Sequence, residues 1–102
     1  MNTMDYNNHI NRLDEKSECL AIFDSGNFVF HVCRLLEKAG LVFEITSTPC
    51  RIAKSGCGLC LRFPMKYIEH VVKAGAEIDM PVREIYIIEK QGYKNSYKKF
   101  EL

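Results

Sequence analysis

The stretch Cys19–Gly40, with the sequence CLAIFDSGNFVFHVCRLLEKAG, joins a short apolar run to an amphipathic pattern. Its first five residues are apolar and are followed by the turn-forming run Asp24–Gly26, which is typical of a buried strand that ends in a turn. From Phe28 onward, apolar residues recur at helical spacing, and Gly40 supplies a left-handed stop. The stretch therefore predicts a strand over 19–23 and a helix over about 27–39.

Similar patterns continue toward the C-terminus. Alternating apolar residues predict strands over 41–46 and 58–63, and the β-branched run 82–88 predicts a fourth strand. Between the last two, Pro64 opens a helical pattern that ends near Gly75. The order strand, helix, strand, strand, helix, strand predicts an α+β fold. We expect a ferredoxin-like βαββαβ two-layer sandwich, with a four-stranded sheet and two helices on one face.

Composition and the chain ends limit what the protein can be. At 102 residues there is room for one core, so we expect a disordered or frayed extension over 1–17, a single domain over 18–90 and a polar, basic tail over 91–102. No long apolar run or signal-peptide pattern is present, which predicts a cytoplasmic protein without a membrane partner. The net charge of +1 gives no general reason to expect nucleic acid, although lysines interleaved with aromatic residues in the tail leave contact with RNA open.

Three of the five cysteines, Cys50, Cys57 and Cys60, lie within one short segment. The surrounding residues 45–68 include four basic residues and no acidic residue. Nearby positive charge lowers the pKa of a thiol and favours the nucleophilic thiolate. An odd number of cysteines excludes a fully paired disulfide framework, and the clustering suits redox or metal chemistry. The segment therefore predicts a reactive sulfur site, whereas Cys19 and Cys33 are interpreted as core residues.

The runs Thr48–Arg51 and Ser55–Phe63, with the sequences TPCR and SGCGLCLRF, match a known pattern. They resemble the selenium/sulfur carrier protein-like family, a group of small bacterial domains, and the resemblance extends from about Cys19 to Glu89. It implies a carrier or relay rather than an enzyme, which holds sulfur or selenium on Cys57 as a persulfide or selenosulfide. The implied partners are a donor of the cysteine desulfurase or selenocysteine lyase type and an acceptor protein. No separate cofactor is implied.

The family pattern covers Arg51, Cys57, Gly58 and Arg62. The two arginines could stabilise the anionic thiolate or persulfide. Backbone N–H groups around Gly56 and Gly58 could form an anion-binding nest.

Cys50 and Cys60 lie outside the shared pattern, and chemistry makes each a candidate resolving thiol. Attack by either on a Cys57 persulfide would release sulfide and leave an internal disulfide. If Cys57 lies at the edge of a strand, Cys60 has opposite parity and points to the other face, which favours Cys50 as the partner.

Three alternatives remain open. Cys57-x-x-Cys60 is half of a typical zinc site, and Cys50 with His70 would complete four ligands, although a second Cys-x-x-Cys is missing. A thiol–disulfide redox domain would also use this pair, but the thioredoxin motif opens a helix, whereas these thiols precede a strand. A ferredoxin-like module for ligand sensing or for homodimer formation needs no reactive thiol.

Overall fold

The computed structural model describes residues 17–53 and 58–102. The predicted N-terminal extension lies, apart from Ser17, outside the described residues. A single 3₁₀ turn, Met65–Tyr67, precedes the second helix. The elements are β1 (Glu18–Ile22), α1 (Gly26–Lys38), β2 (Glu44–Ser47), β3 (Leu59–Pro64), α2 (Ile68–Glu77), β4 (Glu84–Gln91) and β5 (Lys94–Phe100).

The strands form one sheet in the order β2-β3-β1-β4-β5, and every neighbouring pair is antiparallel. The α+β class and the predicted βαββαβ order are confirmed. The first four strands are compatible with a ferredoxin-like sandwich, in which the last strand of the unit lies beside the first. The predicted count of four strands is wrong, because a fifth strand extends the sheet beyond β4.

This fifth strand lies in the segment that the sequence predicts as a polar, basic tail. β4 continues to Gln91, and β5 pairs with it from Ile85 opposite Phe100 to Gln91 opposite Lys94. Gly92, with φ of +67°, takes the first position of the two-residue turn, where the mirror-image hairpin turns favour glycine. A strand at the edge of a sheet needs little apolar surface, which explains why its polar sequence is not recognised as a strand.

Helix α1 is set by local signals at both ends. The Ser25 side chain accepts a hydrogen bond from the Phe28 backbone N–H at 3.4 Å. At the other end, Gly40 has φ of +89°, and the N–H groups of Gly40 and Leu41 donate to the carbonyl groups of Glu37 and Leu36, both at 2.9 Å. This pair of bonds is a Schellman motif. The predicted helix over 27–39 is confirmed within one residue at each end.

The main core lies between the helices and one face of the sheet. Strand residues at alternating positions supply one side of it, and one stripe of each helix supplies the other. Cys19 and Cys33 are both buried there, as the sequence predicts. We call the opposite side of the sheet the open face. The residues of the core that are fully buried are Cys19, Ala21, Val29, Val32, Leu61, Phe63, Val71 and Ile85.

Candidate functional site

The cysteine-bearing segment joins β2 to β3, and we call residues 48–58 the cysteine loop. Its ends are held together because the Thr48 N–H donates to the Gly58 carbonyl at 2.9 Å. These two residues lie directly beyond the last pair of β2 with β3, which is Ser47 with Leu59. The Pro49 carbonyl accepts from the N–H groups of Ile52 and Ala53, both at 3.0 Å. These two bonds form one helical turn after Pro49. Residues 54–57, which include Gly56 and Cys57, lie outside the described residues.

Ile52 attaches the cysteine loop to the open face. It is only 8% exposed and packs with Leu20 of β1, Cys60 of β3 and Tyr86 of β4. Other apolar side chains on this face, among them Tyr97 of β5, border this second cluster. The described part of the loop, residues 48–53, therefore folds back across the sheet instead of projecting from its end. The sequence signal for this role is slight: one large apolar residue in an otherwise polar loop.

Cys60 lies beneath this loop. It is 0% exposed and points to the open face, in agreement with its strand parity. Burial raises the pKa of its thiol, and the opposing effects of a Thr48 hydrogen bond and the Arg62 charge are smaller. Cys60 is therefore a neutral thiol at physiological pH, and its resolving role stays a prediction that requires Ile52 to move away.

Cys50 has the opposite environment, because its side chain is exposed on the turn of the cysteine loop. The other described cysteines, Cys19, Cys33 and Cys60, are buried. Cys57 is bonded to Gly58, which is itself exposed. Among the described residues, a Cβ placed on Gly58 would meet only the Thr48 hydroxyl oxygen, at 3.8 Å, so these neighbours do not require a glycine there.

The two arginines predicted to stabilise an anion have other partners among the described residues. Arg51 donates from Nη1 to the Asn95 carbonyl of β5 at 3.4 Å. Arg62 donates from Nε to Oε1 of Glu18 at 2.6 Å, and its Nη2 forms an ion pair with the same oxygen. Glu18 lies opposite Pro64, at the end of β3 that is far from Gly58. Anion binding by these arginines stays a prediction, and the role of Asn95 is missed because β5 is not predicted.

His70 lies apart from Cys60, one of the cysteines that the sequence groups with it as zinc ligands. His70 lies on α2, with its ring edge-on to Tyr67 and a centroid separation of 5.4 Å, whereas Cys60 faces the open side of the sheet. Within 17–53 and 58–102, no three His, Cys, Asp or Glu side chains are grouped closely enough to bind a metal ion. A zinc site that uses Cys57 with Cys50 and Cys60 stays a prediction. In the same part of the chain, no helix is long and apolar enough to cross a membrane.

Residues 18–87 match a protein family described as "Putative Se/S carrier protein-like". The matched region runs from β1 into β4 and contains the whole cysteine loop. β5 lies outside it. Comparison with curated proteins and with solved structures finds no match to this chain.

Proposed function

Because the chain belongs to the Se/S carrier protein-like family, we propose that it holds sulfur or selenium on Cys57 and relays it to a partner protein. The observation that carries this proposal is the family match over 18–87, which contains the SGCGLCLRF run around Cys57. The geometry of the other cysteines supports the choice of thiol.

A carrier thiol has to be accessible and able to ionise. Cys19, Cys33 and Cys60 are buried, which removes them from contact with a partner protein. Burial also raises the pKa of Cys33, helped by the nearby Glu37 carboxylate, and burial raises the pKa of Cys60. Cys50 and Cys57 remain, and Cys57 is the one within the family pattern.

Loading is a thiol exchange that needs no external oxidant. The Cys57 thiolate attacks the outer sulfur of a persulfide on a donor of the cysteine desulfurase type. The sulfur–sulfur bond of the donor breaks, the donor leaves as a thiolate, and Cys57 becomes the persulfide. An acceptor thiolate then repeats the same exchange on Cys57. A donor of the selenocysteine lyase type would supply selenium to the same thiol and form a selenosulfide.

Cys50 is the better placed resolving thiol, because it is exposed in the same loop. Its thiolate would attack Sγ of the Cys57 persulfide, break the bond to the outer sulfur and release hydrosulfide. The product is a Cys50–Cys57 disulfide, and two electrons from a thiol reductant would restore both thiols. Cys60 would need the loop to undock first.

Intact-protein mass spectrometry tests the proposal directly. The chain is incubated with a cysteine desulfurase and cysteine, and loading adds about 32 Da per persulfide sulfur. We expect this gain in the parent and in the Cys50→Ser control, and no gain in Cys57→Ser. Loading of Cys57→Ser to the parent level would refute the proposal, provided that circular dichroism shows the same fold. With a selenocysteine lyase and selenocysteine, a gain of about 80 Da would identify selenium as cargo.

A further inference from the structure

The β4–β5 hairpin adds an edge to the sheet outside the family match, which ends at residue 87. Within residues 17–53 and 58–102, β5 has a neighbouring strand on one side only. In a hairpin with a two-residue turn, the two residues that flank the turn bond to each other through both their N–H and C=O groups. In the next pair of opposite residues, the N–H and C=O groups point away from the partner strand. Here the first pair is Gln91 with Lys94, and every second residue beyond it on β5, namely Asn95, Tyr97 and Lys99, presents backbone groups outward.

Positive charge is concentrated along this edge. Residues 90–100 contain four lysines and no acidic residue, in a chain whose net charge is only +1. Lys90, Lys94 and Lys98 are exposed, while Nζ of Lys99 lies 3.2 Å from the Glu84 carboxylate. Complementary charge steers association and selects partners.

We propose that the outer edge of β5 binds an acidic, extended segment of a partner protein, which adds to the sheet as a sixth strand. Strand addition supplies main-chain hydrogen bonds, and the lysines select acidic side chains. The role of this partner as sulfur donor or acceptor rests on the proposed carrier function. Arg51 of the cysteine loop donates to the Asn95 carbonyl at 3.4 Å, so the loop lies beside one end of this edge. The added strand would therefore pair with the outward backbone groups of Tyr97 and Lys99.

Two other occupants fit the edge less well. A second copy of the chain would bring Lys94, Lys98 and Lys99 of each copy into one ladder that has no acidic residue, and like charges across a ladder are destabilising. Single-stranded RNA binds where aromatic faces are available for stacking. Tyr86 and Tyr97 pack in the cluster under Ile52, and the exposed aromatic ring of the hairpin is Tyr93 at the turn.

Fluorescence anisotropy with the full chain tests the proposal. The probe is a fluorescein-labelled peptide of alternating Glu and Val, compared with a Lys-Val peptide and oligouridylate of equal length. We expect the acidic peptide to bind best and to weaken as salt is added. Lys94→Glu with Lys98→Glu should weaken binding about tenfold or more. The matched control, Lys38→Glu with Lys73→Glu, changes the net charge equally at exposed helix positions and should stay within about twofold of the parent.

A second probe separates strand addition from charge attraction alone. The acidic peptide with an N-methyl group on every residue has no backbone N–H donors, so it cannot complete the ladder and should lose its binding. Four results would each overturn the proposal. They are binding of this N-methylated peptide, equal weakening of binding in the two double variants, tighter binding of oligouridylate than of the acidic peptide, and no binding of the acidic peptide. So would a homodimer that disappears in the hairpin variant. Cys57→Ser should bind the peptide like the parent, so that loss of sulfur loading and loss of docking are distinguishable.

Discussion

Truncating Ile52 is expected to uncover Cys60 while the fold stays intact. The Ile52 side chain is 8% exposed and packs in the second cluster directly over the open face. Ile52→Ala removes three methyl or methylene groups, each contributing about 0.8 kcal/mol when buried, so docking of the loop weakens by about 2 kcal/mol. Because 1.4 kcal/mol is a factor of ten in an equilibrium, the undocked population rises about 30-fold.

Alkylation of Cys60 measures this population. The parent and Ile52→Ala are treated with N-ethylmaleimide near neutral pH, and each cysteine is followed by mass spectrometry of tryptic peptides. When opening is fast compared with alkylation, the rate at Cys60 follows the undocked fraction and should rise about 30-fold. Cys33 is the internal reference, since it is buried in the main core and does not belong to the second cluster.

The same experiment can refute the reasoning in two ways. Equal acceleration at Cys60 and Cys33 would mean that global unfolding, not undocking of the loop, exposes the thiols. An unchanged rate at Cys60 would mean that Ile52 does not protect it. Val42→Ala is the control for loss of an apolar side chain, because Val42 is 76% exposed and should alter neither rate.

Three further predictions concern stability. Burial raises the pKa of Cys60, so the contribution of this thiol to the free energy of unfolding is complete below the usual thiol pKa and declines above it. In urea unfolding, the free-energy difference between the parent and Cys60→Ala should therefore be smaller at about pH 10 than at neutral pH. A difference that stays constant with pH would contradict this prediction. In thermal unfolding, Gly75→Ala should lower the free energy of unfolding by about 2 kcal/mol, because the new Cβ would lie 2.6 Å from a backbone oxygen. Gly58→Ala should lower it by less than about 0.5 kcal/mol. Equal losses of stability in the two variants would be inconsistent with the packing. Arg62→Ala removes a half-exposed ion pair and should cost at most about 1 kcal/mol. Slower loading of Cys57 in this variant would support the anion-stabilising role that the chemistry of arginine predicts for Arg62.

Elements with strong local signals could be predicted from the sequence. β1 is a short apolar run that is followed by a turn, and α1 has both a serine cap and a glycine stop. These features act over a few residues, so they do not depend on what the elements pack against. Because Cys19 and Cys33 fall within these two elements, the sequence predicts that both lie in the core.

β5 could not be predicted, because its evidence is tertiary. Most of its side chains are polar, and among its apolar residues Phe100 borders the main core while Tyr97 borders the second cluster. Its strand conformation depends on pairing with β4, which the sequence predicts to end at residue 88. The end of β4 is therefore the point at which local reasoning fails.

The candidate site was predicted in part. The sequence correctly places Cys60 in a strand of alternating apolar residues, where it points away from the face that Leu61 and Phe63 turn toward the main core. It does not indicate that Ile52 covers this thiol or that Arg51 reaches β5. Both contacts join residues far apart in the chain, and no local pattern encodes them.

Site-mapped loading asks whether Cys57 itself holds the transferred sulfur. Trypsin cleaves after Lys38, Arg51, Lys54 and Arg62, so Cys50 falls in peptide 39–51 while Cys57 and Cys60 fall in peptide 55–62. After treatment with a cysteine desulfurase and cysteine, the added mass of about 32 Da should appear in peptide 55–62, with fragment ions that assign it to Cys57. Added sulfur on Cys50 or Cys60 instead, or on no cysteine at all, would contradict the carrier account.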